Sequence, residues 1–186
     1  SIFHNKDYIN ILEKTEETQK ISSFNKKKYN LGTPSNPIFS SMFTRHACAT
    51  GSLLLATSLI KTKYNHIFCP GSGAHHGRSN KASGFCYFND IATCILVLKK
   101  NGFKKILYFD MDAHYGDGVV DAFKTDPNVF TISIHQEDLW PRTGAHLFDK
   151  RFNTINLPVK RGFNDKDFLK LFTNNNILSS IYKFNP

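Results

Sequence analysis

The sequence is short of arginine, and this shortage weakens the case for a nucleic-acid-binding protein. Lys outnumbers Arg by 19 to 5, so the net charge of +9 comes mostly from lysine. The lysines are spread along the chain, in runs of at most three and without interleaved aromatic residues. Arginine is the better bidentate ligand for phosphate, and a binding patch would concentrate it on one face. We therefore expect no direct nucleic-acid partner.

Long apolar runs and cysteine pairs are also missing. The longest apolar stretches, such as 53–56 and 95–98, are far too short to cross a bilayer, so we expect no membrane partner. The chain opens on a polar segment without a secretory signal, which favours a cytoplasmic location, or a nuclear one in a eukaryote. No cysteine stands in a C-x-x-C pair, and apolar neighbours predict buried free thiols at Cys48, Cys69, Cys86 and Cys94.

Apolar periodicity and capping residues predict a chain of alternating helices and strands. Expected helices cover 6–20, the stretch from Ser40 or Ser41 to about Ile60, the stretch from Asn89 or Asp90 to Lys100 that ends at Gly102, and a segment that begins near Asn164 or Asp167. Expected strands cover 66–70, 105–110 and 129–134, and 22–40 has the composition of a loop. Strand, helix, strand alternation predicts an α/β fold with a parallel sheet.

The densest polar cluster, residues 110–118, follows a buried strand, at the end where open parallel sheets bind ligands. Strand alternation would project Asp110, Asp112 and His114 to one side. Buried carboxylates need compensation, which a divalent cation supplies, and the ligand types suit Zn²⁺ but also Fe²⁺, Co²⁺ or Mn²⁺. The alternative is a solvated acidic turn before a short helix that starts near Asp117.

A second cluster, residues 70–77, places His75 and His76 between glycines, again after an expected strand. Two imidazoles near a metal could carry the proton transfers of amide hydrolysis. The stretch lacks the G-K-[ST] ending of a phosphate loop and the G-x-S-x-G of a nucleophile elbow. A buried histidine satisfied by a backbone carbonyl is the alternative interpretation.

Four motifs, in order, resemble the histone deacetylase superfamily. They are P-G-S-G-A-H-H-G (70–77), S-G-F-C-Y-F-N-D (83–90), Y-F-D-M-D-A-H-Y-G-D-G-V (108–119), and T-I-S-I-H (131–135) with W-P-R-T-G (140–144). The bacterial acetoin utilization branch is similar over 30–164, including N-L-P-V. The resemblance implies a three-layer arginase/deacetylase-like α/β fold, with a mostly parallel sheet flanked by helices. It also implies that residues 1–186 are a single partial deacetylase domain, truncated at both ends.

The resemblance implies a zinc-dependent amidohydrolase that releases acetate. By motif position, Asp112 and His114 would be metal ligands, and His75 and His76 the tandem catalytic histidines. Zn²⁺ would polarise the acyl carbonyl and acidify a water, His76 would accept its proton, and His75 would help protonate the leaving amine. In the family pattern Asp110 hydrogen-bonds His75 and Asp117 orients His76.

Further roles follow from the same resemblance. Gly84, Phe85 and Trp140 match a narrow acyl-lysine channel, and the implied substrates are acetylated lysine or an acetylated small amine or polyamine. A structural potassium ion would use Asp110, Ser133 and the carbonyls of Asp112, His114 and Ile134.

The sequence departs from the family pattern in places that affect activity. The third metal ligand, an Asp on a later strand, and the Tyr that stabilises the oxyanion are not visible, and no acidic rim residue stands in 32–36. We therefore expect these 186 residues alone to be nearly inactive. Two rival interpretations are a degenerate domain that binds without turnover, and an arginase-like dinuclear manganese hydrolase, against which Gly116 stands where a second carboxylate is expected.

Overall fold

A computed structural model of the protein describes residues 2–145, 147–149, 153–174 and 177–186. The chain divides into two compact units, residues 1–102 and 103–186. No helix in these described ranges is long and apolar enough to cross a membrane.

The first unit is built from four helices: α1 (Lys6–Thr18), α2 (Ser23–Tyr29), α3 (Met42–Leu59) and α4 (Asp90–Lys100). Tyr8 and Leu12 lie one helical turn apart on the same face of α1, and both are fully buried in the core of this unit. Around them pack buried residues from the other segments: Tyr29, Leu31, Met42, Ala82, Tyr87 and Phe88. The prediction for 6–20 is confirmed by α1.

Helix α4 starts and ends as its sequence predicts. Asn89 is the N-cap, and its side chain accepts a hydrogen bond from the backbone N–H of Ala92 at 2.8 Å. Gly102 follows the last turn at φ 94°, a conformation that glycine adopts without steric cost.

Helix α3 begins where predicted, but its N-terminus is capped by a different residue. Ser41 occupies the N-cap position at φ 71°, and its side chain makes no capping hydrogen bond. The carboxylate of Glu16, on α1, instead accepts from the N–H groups of Phe43 at 2.6 Å and Thr44 at 3.0 Å. A carboxylate suits this position because the first N–H groups of a helix lack partners and carry partial positive charge.

Two predictions for the first unit are wrong. The segment 22–40 contains α2, whose N-cap Ser22 accepts a hydrogen bond from Asn25 N–H at 3.2 Å. Residues 66–70 form no strand, and none of the strands in the described part of the chain pairs with them. Local composition suggested a strand there, but a strand exists only when a neighbour supplies the hydrogen bonds.

The second unit is an α/β unit with a mostly parallel sheet. Its strands are β1 (Ile106–Asp110), β2 (Val129–Gln136), β3 (Leu147–Asp149) and β4 (Thr154–Val159), in the spatial order β1-β2-β4-β3. Strands β1, β2 and β4 are parallel, and β3 pairs antiparallel with β4. The helices are α5 (Asp117–Phe123), α6 (Asp165–Asn174) and α7 (Ile177–Phe184). The predicted parallel sheet flanked by helices is confirmed, whereas β3 and β4 were not predicted.

The two faces of β2 differ in chemistry although both are buried. Phe130, Ile132 and Ile134 pack against an apolar cluster that includes residues of α6 and α7: Phe168, Leu171, Phe172, Ile177, Ile181 and Phe184. The alternate residues, Thr131, Ser133 and His135, are equally buried on the opposite face. One face of the sheet therefore carries a buried polar layer in which every group needs a hydrogen-bond partner. On α7, Ile177 is buried whereas Leu178 is exposed.

All four cysteines are free, as predicted. Only Cys86 is buried, whereas Cys48 is exposed and Cys69 and Cys94 are partly buried. The apolar neighbours of Cys48 in sequence therefore misled the prediction of burial.

Candidate active site

The predicted histidine pair lies in a turn of the first unit, ahead of α4. His75 and His76 are both buried, and their ring centroids are 3.9 Å apart with a tilt of 52° between the ring planes. Two imidazoles at this spacing could exchange or share protons with one bound group.

The carboxylate of Asp90 holds the backbone that precedes the histidines. Its Oδ2 accepts from Gly73 N–H at 3.0 Å, and its Oδ1 accepts from Ala74 N–H at 2.8 Å. Oδ1 also accepts from Ile91 N–H at 2.8 Å, within the first turn of α4. Three N–H donors thus compensate a carboxylate that is only 1% exposed.

The side chain of Asn89 holds the backbone that follows the histidines. Its Nδ2 donates to the carbonyl of Gly77 at 2.9 Å and lies 3.5 Å from that of His75. A Cβ at Gly77 would stand 2.9 Å from Asn89 N and from Phe88 C, so only glycine permits this approach of the turn to α4.

Phe85, a predicted channel residue, is 63% exposed and stands in the left-handed region at φ 63°. Gly84 before it is also left-handed, at φ 52°. The N–H of Phe85 donates to Ser35 O at 2.9 Å and to Asn36 Oδ1 at 3.1 Å. Asn36 is fully buried, so a buried amide anchors a turn that presents an exposed aromatic ring.

In the second unit, the predicted metal ligands meet, although not through strand alternation. The strand ends at Asp110, and 112–114 form bends. Asp110 Oδ1 accepts from Asp112 N–H at 2.9 Å, and Asp112 Oδ1 accepts from His114 N–H at 2.7 Å. These successive turns, typical of Asp side chains, replace the expected extended backbone.

The turns place Asp112 Oδ1 and His114 Nδ1 3.0 Å apart. Their side chains are 52% and 45% exposed, so an ion can reach both atoms. Two ligand atoms of one tetrahedral zinc ion, each at about 2.1 Å, lie about 3.4 Å apart, so the pair fits as two ligands of one ion after a small movement. Within the described residues, no group of three or more His, Cys, Asp or Glu side chains could hold a metal.

Asp110 and Asp117, the predicted partners of the histidines, are both buried. Asp110 also accepts a short hydrogen bond from the Tyr108 hydroxyl. Asp117 is the first residue of α5, and its N–H donates to Tyr115 O at 2.8 Å.

Three of the predicted potassium ligands are close together in the sheet. Asp110 on β1 pairs in register with Ser133 on β2, and Ile134 is the next residue of β2. The Ser133 hydroxyl is 3.0 Å from His135 Nδ1, so it already has a hydrogen-bond partner. The potassium site stays a prediction.

His135 is hydrogen-bonded to the far end of the loop that carries Trp140. Its Nε2–H donates to Gly144 O at 3.0 Å, which leaves Nδ1 to accept from the Ser133 hydroxyl. Burial lowers the pKa of His135, which favours this neutral form. Trp140 itself is 44% exposed.

Sequence reasoning missed four residues that shape the candidate site: Asn36, Asn89, Asp90 and His135. Asn89 and Asp90 stood inside a recognised motif but were interpreted only as the start of α4. Their position in the 83–90 motif was a signal that their side chains do more than start the helix. For Asn36, no local pattern indicated burial.

Comparison with protein families and known proteins gives one consistent result. The family model described as "Histone deacetylase domain" matches residues 1–186. "Histone deacetylase 6" of Arabidopsis thaliana is 36% identical over 180 residues, which cover 91% of this chain and 38% of that protein. "Acetoin utilization protein AcuC" of Bacillus subtilis is 33% identical over 180 residues, covering 92% of this chain and 46% of that protein.

Two solved structures of HDAC homologs are also similar to this chain. The crystal structure of an HDAC homolog from Aquifex aeolicus is similar with a TM-score of 0.83 and 38% identity, covering 91% of this chain and 47% of the other. An HDAC homolog complexed with SAHA is similar with a TM-score of 0.87 and 36% identity, covering 98% of this chain and 50% of the other. The chain thus spans half or less of the length of these relatives.

Proposed function

Because the chain belongs to the histone deacetylase domain family, we propose that it contributes to a zinc-dependent deacetylase that hydrolyses an N-acetyl amide and releases acetate. The observation that carries the proposal is the pairing of Asp112 Oδ1 with His114 Nδ1 at 3.0 Å, on two exposed side chains. Mixed carboxylate and imidazole ligands suit Zn²⁺, and also Fe²⁺ or Co²⁺.

Asp112 and His114 would hold the ion. When bound, Zn²⁺ would supply Lewis acidity toward the acyl carbonyl and toward water. Hydrogen bonds from the backbone N–H groups of Asp112 and His114 to Asp110 and Asp112 shape this turn and orient the two proposed ligands.

His76 would accept a proton from water, and His75 would help protonate the departing amine. The burial of both rings supports this, because proton transfer inside a dry site depends on fixed geometry. Following the family pattern, Asp110 and Asp117 would orient the two imidazoles and fix their tautomers.

Gly84, Phe85 and Trp140 would contact the aliphatic part of the substrate. Phe85 and Trp140 are large aromatic rings left substantially exposed, at 63% and 44%. Aromatic faces of this kind can grip a methylene chain. The proposed substrates are acetylated lysine side chains and acetylated small amines or polyamines, and a potassium ion at Asp110 and Ser133 would be structural.

The test uses the full natural protein that carries this chain, loaded with zinc. Acetate release would be measured from an acetyl-lysine peptide and an acetylpolyamine, with metal content measured on the same samples. His76→Ala should keep its zinc but lose turnover by about 100-fold or more, since a positioned general base contributes on that scale. His66→Ala is the matched control, because His66 is exposed and outside the motifs, and it should keep full activity.

Full activity in His76→Ala would remove this residue from the mechanism. One metal ion per chain would agree with a zinc deacetylase, and two bridged manganese ions would favour an arginase-like hydrolase instead.

A degenerate domain that binds without turnover is the second candidate. It is favoured by the lack, within the described residues, of a group of three metal-binding side chains. Retained zinc with no acetate release from either substrate, together with binding of SAHA, would support this candidate.

A further inference from the structure

We propose that Asn89 and Asp90 are positioning residues that fix the turn bearing His75 and His76 from the N-terminus of α4. The inference rests on the proposed function, since it assigns to these two side chains the placement of the catalytic imidazoles.

Asp90 restrains the turn on the side before the histidines. Its two carboxylate oxygens take different N–H groups, Oδ2 that of Gly73 and Oδ1 that of Ala74. A carboxyl group this deeply buried is costly unless it is hydrogen-bonded, so these contacts are needed at this position. The two hydrogen bonds therefore hold the backbone before the histidines against the N-terminus of α4.

Asn89 restrains the turn on the side after the histidines. Its Nδ2 donates to Gly77 O, while its Oδ1 is occupied by Ala92 N–H and caps the helix. The Asn89 backbone N–H donates to His4 Nε2 at 2.9 Å, so the residue itself is fixed. Asn89 is fully buried, and both ends of its amide are used.

Together the contacts bracket the histidine pair. Hydrogen bonds fall on residues 73 and 74 before the pair and on Gly77 after it, and the backbone approach at Gly77 leaves no room for a Cβ. The backbone of this turn sets the positions of the His75 and His76 rings. A catalytic group displaced by about 1 Å can cost on the order of 100-fold in rate, so a loosened bracket should act on turnover.

A matched control exists on the same helix. Thr93 is buried on α4, and its hydroxyl donates to Asn89 O at 2.9 Å, as part of the first turn. Thr93→Val removes a buried hydrogen bond from α4 while the side-chain contacts of Asn89 and Asp90 to the histidine turn remain. Any change of kcat in this variant therefore measures the effect of destabilising the helix alone.

Two variants each remove side-chain hydrogen bonds to the histidine turn and keep the rest of α4. Asn89→Ser keeps a good N-cap oxygen but removes the donor to Gly77 O. Asp90→Asn keeps the shape but turns an NH₂ group toward the N–H of Gly73 or Ala74. Each would be compared with wild type and Thr93→Val in the full natural protein, by kcat and KM on an acetyl-lysine peptide and by thermal unfolding. The imidazole signals of His75 and His76 would be recorded by ¹⁵N NMR without zinc, assigned from His75→Gln and His76→Gln.

We expect kcat to fall roughly 10- to 100-fold in both variants with KM unchanged, because displaced catalytic groups act on turnover and not on substrate binding. The two ring signals should shift or broaden in both variants and stay in place in Thr93→Val. If wild type is active and both variants match Thr93→Val in kcat and ring signals, the positioning role is overturned while the proposed function stands. If wild type releases no acetate but the ring signals change selectively, the positioning role stands and the proposed function fails.

Discussion

The side-chain oxygen of buried Asn36 accepts a hydrogen bond from the backbone N–H of Phe85, 49 residues further along the chain, at 3.1 Å. The bond ties the loop before α3 to the turn that presents the Phe85 ring. Ser35 O shares the same donor at 2.9 Å. The orientation of an exposed aromatic residue therefore depends on a residue that solvent does not reach.

Asn36→Ala should destabilise the first unit by about 1–3 kcal/mol, since it removes a buried hydrogen-bonding group. It should also raise KM for an acetyl-lysine peptide more than it lowers kcat, because Phe85 is proposed to contact substrate. Urea unfolding and steady-state kinetics check this. Thr33→Val is the control, because Thr33 Oγ1 accepts from Asn36 N–H at 3.2 Å within the same loop and makes no hydrogen bond to Phe85. A KM equal to that of Thr33→Val would contradict the role of Asn36.

Gly144→Ala should destabilise the protein more than Gly162→Ala. Both glycines are left-handed, at φ 85° and φ 90°, so both variants carry similar backbone strain of about 1 kcal/mol. A Cβ at Gly144 would meet the Tyr115 ring at 2.5 Å, whereas none of the described atoms lies within 4 Å of a Cβ at Gly162. The clash should add about 1–3 kcal/mol, measured as the difference between the two variants in chemical unfolding. Equal unfolding free energies would show that the ring moves aside without cost.

Stability should fall as the pH is lowered from about 6.5 to about 4, partly because of His4. Burial lowers the pKa of His4 to about 4. The unfolded chain, with an ordinary histidine pKa near 6.5, therefore binds more protons in this window, so unfolding is favoured as pH falls. Stability from this group is complete above about 6.5, and its loss by pH 4 is on the order of 3 kcal/mol.

The measurement for His4 is the free energy of unfolding across this pH window. His4→Gln should flatten the pH dependence, since glutamine can still accept from Asn89 N–H but does not titrate. His66→Gln, at an exposed histidine, should leave the wild-type slope in place. An unchanged slope in His4→Gln would show that other groups carry the effect.

Local sequence signals predicted those parts of the fold that depend on neighbours in sequence. Helix α4 followed from Asn89 and Gly102, and β1 and β2 from their apolar runs, because caps and periodicity act within a few residues. The cap of α3 could not be predicted, since Glu16 lies 27 residues before Phe43. Residues 66–70 look like a strand in sequence, but a strand depends on a partner that local composition does not reveal.

The candidate site shows the same division. The motifs predicted that Asp112 and His114 would meet, but strand alternation was the wrong reason, because Asp side chains bent the backbone by bonding to N–H groups two residues on. Asn89 and Asp90 were correctly placed at the start of α4, whereas their contacts to the histidine turn depend on how that turn folds back onto the helix.

The parallel register of β1, β2 and β4 has a consequence for folding kinetics. Ile106 pairs with Val129, and Thr131 pairs with Thr154, so each pairing joins residues 23 positions apart in the sequence. Pairing over such a separation costs loop-closure entropy before its hydrogen bonds form, which makes parallel sheets slow to fold. The sheet of the second unit should therefore form more slowly than the helices, whose hydrogen bonds join residues four positions apart.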